Sequence, residues 1–319
     1  MSIYTRKDLA VMQAWPLERK IRVTQTRIYE WYVKHDGLVF LSFSGGKDST
    51  VLLDLARRVC ADIPAIFVDT GMEYPELRAF VKGFENVTWL KPRYPFSHVI
   101  EKYGYPVISK EVADVIDGAR KGQAYRTKRI NGELLNRDGN RSKFNCEKYK
   151  YLMEAPFKIS ARCCYHMKKA PIYKYERETG RRAIIGTMAC ESALRMQGWL
   201  NAGCNAFDAA RPISRPLSFW TEQDILGYLQ ITEIPYAPIY GDIIEVQTAK
   251  GIQLKTTGVE RSGCMFCMFG VQHEPHPNRF QKMQITHPKQ YDYCVGKLGC
   301  GAVMDFIGVP YTNPCLVQS

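Results

Sequence analysis

No stretch of the 319-residue sequence stays apolar for the roughly 18 residues that a membrane-crossing helix needs, so no membrane partner is expected. The opening MSIYTRKDLAVMQAWPLERK is charged and has no apolar signal core, which points to a cytoplasmic protein. Internal repeats and low-complexity tracts are missing. Acidic residues are in deficit, 32 Asp and Glu against 44 Lys and Arg, a net charge of +12. Such an excess asks for a polyanionic partner, nucleic acid first and nucleotides second. The Walker spacing Gly-x-x-x-x-Gly-Lys-Ser/Thr is absent as well. Cysteine is not scarce: in a cytoplasmic chain, 11 cysteines read better as metal or redox chemistry than as a disulfide framework. A hydrophobic content of 45% over this length suffices for a sizeable core.

The most informative stretch is Leu38–Asp54, LVFLSFSGGKDSTVLLD. An apolar strand runs into Ser44-Gly45-Gly46-Lys47-Asp48-Ser49-Thr50, and a helix-compatible run follows. Two glycines let the backbone approach an anion, and the amides of a helix start then point at it. Lys47 adds a point charge, while Ser44, Ser49 and Thr50 add hydroxyls.

Residues 1–36 read as one or two helices broken at Trp15-Pro16, packing on the sheet. Pro64–Asp69 is a second buried strand, ending in Asp69-Thr70-Gly71 at the carboxyl edge where open α/β sheets bind ligands. Val87–Lys91 is a third strand, Arg182–Gly186 a fourth, and Pro212–Phe219 a fifth extended piece. Thr221 and Asp224 have the spacing of a helix cap. Between the third and fourth strands, Arg120–Lys150 holds ten Lys and Arg against three carboxylates, with turn signals at Asn131-Gly132 and Asp138-Gly139. A solvated loop and a nucleic-acid surface both account for it. Tyr125 and Phe144 among the charges favour the second, since aromatic rings stack on bases. The organisation expected is a helical segment 1–36, a nucleotide domain 37–240 with a basic insertion 120–150, and a C-terminal extension 241–319.

Cys264-x-x-Cys267 brings two thiolates to one metal, and alone suits zinc, an iron–sulfur cluster or a redox pair. The adjacent Cys163 and Cys164 splay across one peptide, which a cluster with separate irons tolerates better than one tetrahedral ion. Cys60 and Cys190 read as core; Cys294, Cys300 and Cys315 are left open.

The string SGGKDS resembles the PP-loop of the N-type ATP pyrophosphatases, which split ATP between its α and β phosphates and leave AMP on a substrate oxygen. Asp69-Thr70-Gly71 through Pro75 resembles the loop beside the nucleotide in the phosphoadenosine-phosphosulfate reductase family. The Cys-Cys pair followed about a hundred residues later by CxxC is similar to the cluster site of that family's iron–sulfur branch. Lys168, Arg195 and the string from Arg215 to Tyr236 fall in matching order. The resemblance implies an adenine-nucleotide α-hydrolase-like α/β fold, a five-stranded mostly parallel sheet flanked by helices. It implies ATP and Mg2+ as ligands and a [4Fe–4S] cluster on Cys163, Cys164, Cys264 and Cys267. The nucleotide set carried over is Ser44, Gly45, Gly46, Lys47, Asp48, Ser49, Thr50, Asp69, Thr70, Gly71 and Gly186. Lys47, Asp48, Lys168 and Arg195 are the catalytic candidates.

The loop is intact, and the Glu-Cys-Gly-Leu-His tail motif of true sulfonucleotide reductases is missing. With the basic surface, this resembles the sulfur-inserting enzymes of bacterial DNA phosphorothioation. The implied partners are nucleic acid (DNA ahead of tRNA) and a cysteine desulfurase as sulfur donor, with homo-oligomerisation open. A sulfonucleotide reductase or tRNA-thiolating enzyme, and a nucleotide-sensing DNA-binding module with a structural cluster, are the alternatives.

Overall fold

The computed structural model describes residues 2–249 and 251–313, so Cys315 lies outside the described residues. Two compact units are interleaved along the chain. The first takes residues 1–69, 73–91 and 171–262, and the second takes 70–72, 92–170 and 263–319. Among the described residues no helix is long and apolar enough to cross a membrane.

The first unit is built on a sheet of β1 (Val39–Ser42), β2 (Ala65–Val68), β3 (Val87–Leu90), β4 (Arg182–Ile185), β5 (Asn205–Ala206) and β6 (Ile213–Ser214). The spatial order is β3-β2-β1-β4-β6-β5. Five strands run parallel, and β5 pairs antiparallel with β6 at the edge, one strand more than the sequence led us to expect. Only Ile213–Ser214 of the fifth extended piece joins the ladder, because Leu217–Trp220 turns back into the core. In β1 Leu41 stands between Ala65 and Ile184, and Val39, Phe40 and Leu41 are fully buried. An apolar run without alternation is what a strand covered on both faces requires.

The N-terminal helices Arg6–Gln13 and Leu17–Lys34 break at Trp15-Pro16 and pack on this unit. Their anchors are polar. The Trp220 indole N–H donates to Thr24 Oγ1 at 2.8 Å. The buried Lys20 ammonium reaches Asp224 Oδ2 at 2.6 Å and the Gln13 carbonyl at 2.7 Å. Thr221 and Asp224 form the expected capping box at the head of helix Glu222–Thr232.

The second unit pairs Val107–Ile108 parallel with Met268–Phe269 and surrounds them with short helices. In it the basic segment is ordered. It comprises helix Ala124–Asn131, closed by Gly132 at φ +79°, a small turn bridged from Leu135 to Arg141, and a 3-10 turn Glu147–Glu154.

Candidate active site

The loop leaving β1 turns at Gly45, whose φ of +73° a side chain would resist, and a Cβ there would meet Val81 Cγ2 at 2.6 Å. Gly46 caps helix Lys47–Val59. A Cβ on it would come within 2.8 Å of Ser262 Oγ and 3.2 Å of Tyr240 Oη, so the second glycine is set by what lies over the loop. The hydroxyls mostly shape the loop itself. Ser49 Oγ donates to the Gly46 carbonyl at 2.8 Å, and Thr50 Oγ1 does so at 3.1 Å. Both residues are buried, whereas Ser44 is exposed, with its hydroxyl 3.1 Å from Ser49 Oγ.

Lys47 is buried. Its Nζ donates to the Glu260 carbonyl at 2.6 Å and lies 3.1 Å from Glu222 Oε1. Its amide donates to Tyr240 Oη at 3.2 Å, and Tyr240 in turn donates to Ser262 Oγ at 2.6 Å. Burial raises the Tyr240 phenol's pKa. Asp48 follows Lys47 in the first turn, and its Oδ1 is buried with no hydrogen-bond partner. Burial pushes its carboxyl up to about 6; Lys47 opposes this, while Glu191 and Glu222 add to it. Gly186, at the end of β4, lies against the backbone of Asp48: a Cβ there would sit 3.3 Å from its carbonyl oxygen.

Arg195 sits on helix Ala193–Ala202, capped by Ser192, and is ion-paired with Glu191. Asp69, at the end of β2, is buried and paired with Arg78 at 2.7 Å, and the Arg78 Nε is buried without a partner. Glu222, Tyr240, Glu260, Ser262, Glu191 and Arg78 were not singled out in the sequence. The cap at Thr221, the string ending at Tyr236 and the Cys264-x-x-Cys267 motif marked some of their neighbourhoods. Cys190 is a correction: it is exposed on the turn Ala189–Glu191, with its thiol 3.6 Å from the Trp220 carbonyl, and is not a core residue. Ala189 takes the buried side of this turn, which leaves Cys190 on its outer side.

In the second unit, Thr70 accepts from the Met72 amide at 3.2 Å, and Gly71 is exposed at φ +76°. There Cys163, Cys164, Cys264 and Cys267 line one cavity with Met72, Phe96, Met167, Phe266 and Lys168. Cys163 and Cys164 lead into a π-helical turn, Tyr165–Lys169. Cys264 and Cys267 sit on a tight turn closed by the Cys267 amide on the Cys264 carbonyl at 3.2 Å. The thiols feel one another. A hydrogen bond between the neighbours raises Cys163 and lowers Cys164, and Lys110 and Lys168 help the lowering. Among the described residues no group of three or more His, Cys, Asp or Glu is disposed around a single ion. Cys294 and Cys300 are fully buried.

The domain model for phosphoadenosine phosphosulfate reductase matches residues 38–97 and 110–268. The chain belongs to this family. It is 25% identical over 220 residues to adenosine 5'-phosphosulfate reductase 1 of Bacillus subtilis, covering 67% of this chain and 72% of that one. It is 25% identical over 214 residues to sulfate adenylyltransferase subunit 2 of Allorhizobium ampelinum, covering 62% and 56%. A 95-residue stretch is 38% identical to an uncharacterized protein of Methanocaldococcus jannaschii, and there the chain spans only 23% of the relative's length. A phosphoadenylyl-sulfate reductase from Candida auris aligns over 75% of this chain and 92% of its own, with 13% identity and a TM-score of 0.39. The family handles sulfur on adenine nucleotides, so a nucleotide-binding enzyme of the PP-loop type is supported.

Half of the basic segment's charge is spent internally. Arg120 donates to the carbonyls of Leu152, Ala155 and Phe157, and Lys121 pairs with Asp117. Arg126 pairs with Asp114, Arg129 with Glu111, and Arg141 with Glu147. Glu111, Asp114 and Asp117 precede the segment, so counting charge within 120–150 overstated the local excess by three.

Proposed function

We propose that this chain cleaves ATP between its α and β phosphates and places AMP on a phosphate oxygen of nucleic acid, preparing it for sulfur. DNA phosphorothioation is the process it fits best. The observation that carries the reading is the complete Ser44–Ser49 loop heading a helix, with a buried lysine and, in the first turn, a carboxylate whose buried Oδ1 has no partner. Amides of a helix start and one fixed cation suit a triphosphate. Lys47 would neutralise charge growing on the departing pyrophosphate. The orphan oxygen of Asp48 fits a Mg2+ arriving with the nucleotide, since a buried carboxylate calls for a cation. Arg195 and Lys168 are the candidates for neutralising acceptor or leaving group.

Four cysteines lining one mostly apolar cavity, with Lys110 and Lys168 helping to lower the Cys164 thiol, support an iron–sulfur group there. Bound there on Cys163, Cys164, Cys264 and Cys267, a [4Fe–4S] cluster would supply sulfur-handling or electron-transfer chemistry. A cysteine desulfurase would deliver persulfide sulfur whose outer atom displaces AMP, and a thiol reductant would then cleave the S–S bond to leave the phosphorothioate.

A second reading takes sulfate or an adenylyl sulfate as the substrate, and the named relatives favour it. Pyrophosphate release from ATP separates the two, measured with DNA, with tRNA and with sulfate. Stimulation by DNA, and phosphorothioate in nuclease digests once a desulfurase, cysteine and a thiol reductant are added, is the expected result. Stimulation by sulfate alone would overturn the nucleic-acid reading.

A further inference from the structure

If the acceptor is nucleic acid, as proposed above, the second unit offers a face for it that is not the basic segment. Around helix Phe96–Tyr103 and the turn after Arg162, aromatic rings stack in pairs. Tyr94 lies on His98 with ring centres 4.7 Å apart. Tyr103 lies on His166 at 4.2 Å and only 12° from parallel. The exposed ring of Tyr165 meets the edge of His166 at 5.1 Å.

Three cations flank these stacks. Arg93 sits 5.2 Å from the centre of Tyr94, and Lys102 lies 5.9 Å from Tyr94 and 5.6 Å from Tyr103. Arg162 is 5.6 Å from Tyr103. All three are exposed. Among the described residues, no carboxylate pairs with Arg93 or Lys102, and Arg162 has only Asp117 at a long 3.9 Å. The contrast with Arg120, Arg126 and Arg129 is sharp, since their charge is already answered within the protein. Cys163 and Cys164 follow Arg162 directly, and Lys168 two residues after His166 lines the cysteine cavity.

Unanswered cations interleaved with half-buried rings have the chemistry of a single-strand platform: phosphates on the charges, bases on the rings. A duplex keeps its bases stacked on one another and would use only the charges. We infer that this face binds single-stranded nucleic acid. Arg93, Lys102 and Arg162 take phosphates, and the Tyr94 and Tyr103 stacks take unpaired bases.

The test is fluorescence anisotropy over a salt series with a 12-nucleotide DNA strand, the same sequence as RNA, and the DNA duplex. Removing all three cations (Arg93→Gln, Lys102→Gln, Arg162→Gln) should lower the single-strand slope of log K against log salt by about two units, at roughly 0.7 per phosphate contact. These exposed positions should leave the melting temperature unchanged. Tyr103→Leu should weaken single-strand binding by about tenfold with the slope kept, as loss of one base-stacking ring predicts. Lys143→Gln with Lys148→Gln and Lys150→Gln, in the basic segment, should change the slope less than the first triple. Comparing the DNA and RNA strands shows which polymer the face prefers. Wild-type binding that the first triple leaves intact would overturn this face while sparing the nucleic-acid reading. No binding to any of the three probes would overturn both. Tighter binding to the duplex, with Tyr103→Leu neutral, would overturn the single-strand assignment.

Discussion

The Lys47 ammonium lies 2.6 Å from the carbonyl oxygen of Glu260, 213 positions further along the chain. With Glu222 at 3.1 Å and Tyr240 on the lysine amide, this contact holds the loop cation within a ring of oxygens. A phosphate seeking Lys47 competes with groups already in place. The loop is therefore fixed before it binds, which is how electrostatic stabilisation becomes cheap at the moment of reaction.

Lys47→Ala removes that cation and keeps both glycines. Pyrophosphate release from ATP should fall by about 10²-fold or more, the scale of losing one preorganised charge-stabilising group. Folding should survive with a loss of about 1 kcal/mol, because the partner Glu222 is half in solvent. Turnover assays beside thermal melts check both halves, and unchanged turnover would remove Lys47 from the mechanism.

Asp48 gives a pH dependence with a definite sign. Its folded-state value, pushed up to about 6 by burial, exceeds the ordinary 3.8. The folded chain thus binds the proton more tightly than the unfolded one, and stability is lost as pH rises through about 6. Asp48→Asn should stabilise the nucleotide-free protein at pH 8 by about 2 kcal/mol, with the gain gone near pH 4. The same change should cripple ATP turnover. Equilibrium urea unfolding at pH 4, 6 and 8 reads the first effect; a gain that grows toward low pH would contradict it.

The cysteine cavity makes an analytical prediction. Protein purified without oxygen should carry about four iron and four sulfide per chain, with absorbance near 400 nm. Cys164→Ser or Cys267→Ser should lower iron, sulfide and colour together. Stoichiometric zinc without that absorbance would assign the cavity to another ion.

Arg129 should behave as a structural residue although it sits in the basic segment. It is buried, donates to the Phe144 carbonyl at 2.7 Å and pairs with Glu111. Arg129→Ala should cost about 2 kcal/mol and lower the melting temperature by several degrees. Lys128→Ala, its neighbour in sequence, should leave the melt unchanged. Equal melts for both variants would return Arg129 to the surface.

Much of the nucleotide loop was legible because its causes are local. Gly45 turns at positive φ and Gly46 opens a helix within a few residues of the strand they follow. Thr221 and Asp224 announced their cap for the same reason. The π-helical turn after Cys164 and the exposure of Cys190 left no such local mark.

By itself the sequence determined a nucleotide-type strand–loop–helix, a parallel sheet of buried apolar strands, and two cysteine pairs a hundred residues apart. Only the tertiary structure decided that the four thiols share a cavity, that Glu222 and Glu260 hold Lys47, and that four of the ten cations in the densest run of positive charge are ion-paired within the protein. The physical reason is reach. Backbone preference and capping act over a few residues, whereas an ion pair, a lined cavity or a stacked ring depends on which distant segments the fold brings within a few ångströms. Charge counted along a chain says nothing of the carboxylate waiting on the next helix, as Arg126 and Asp114 demonstrate.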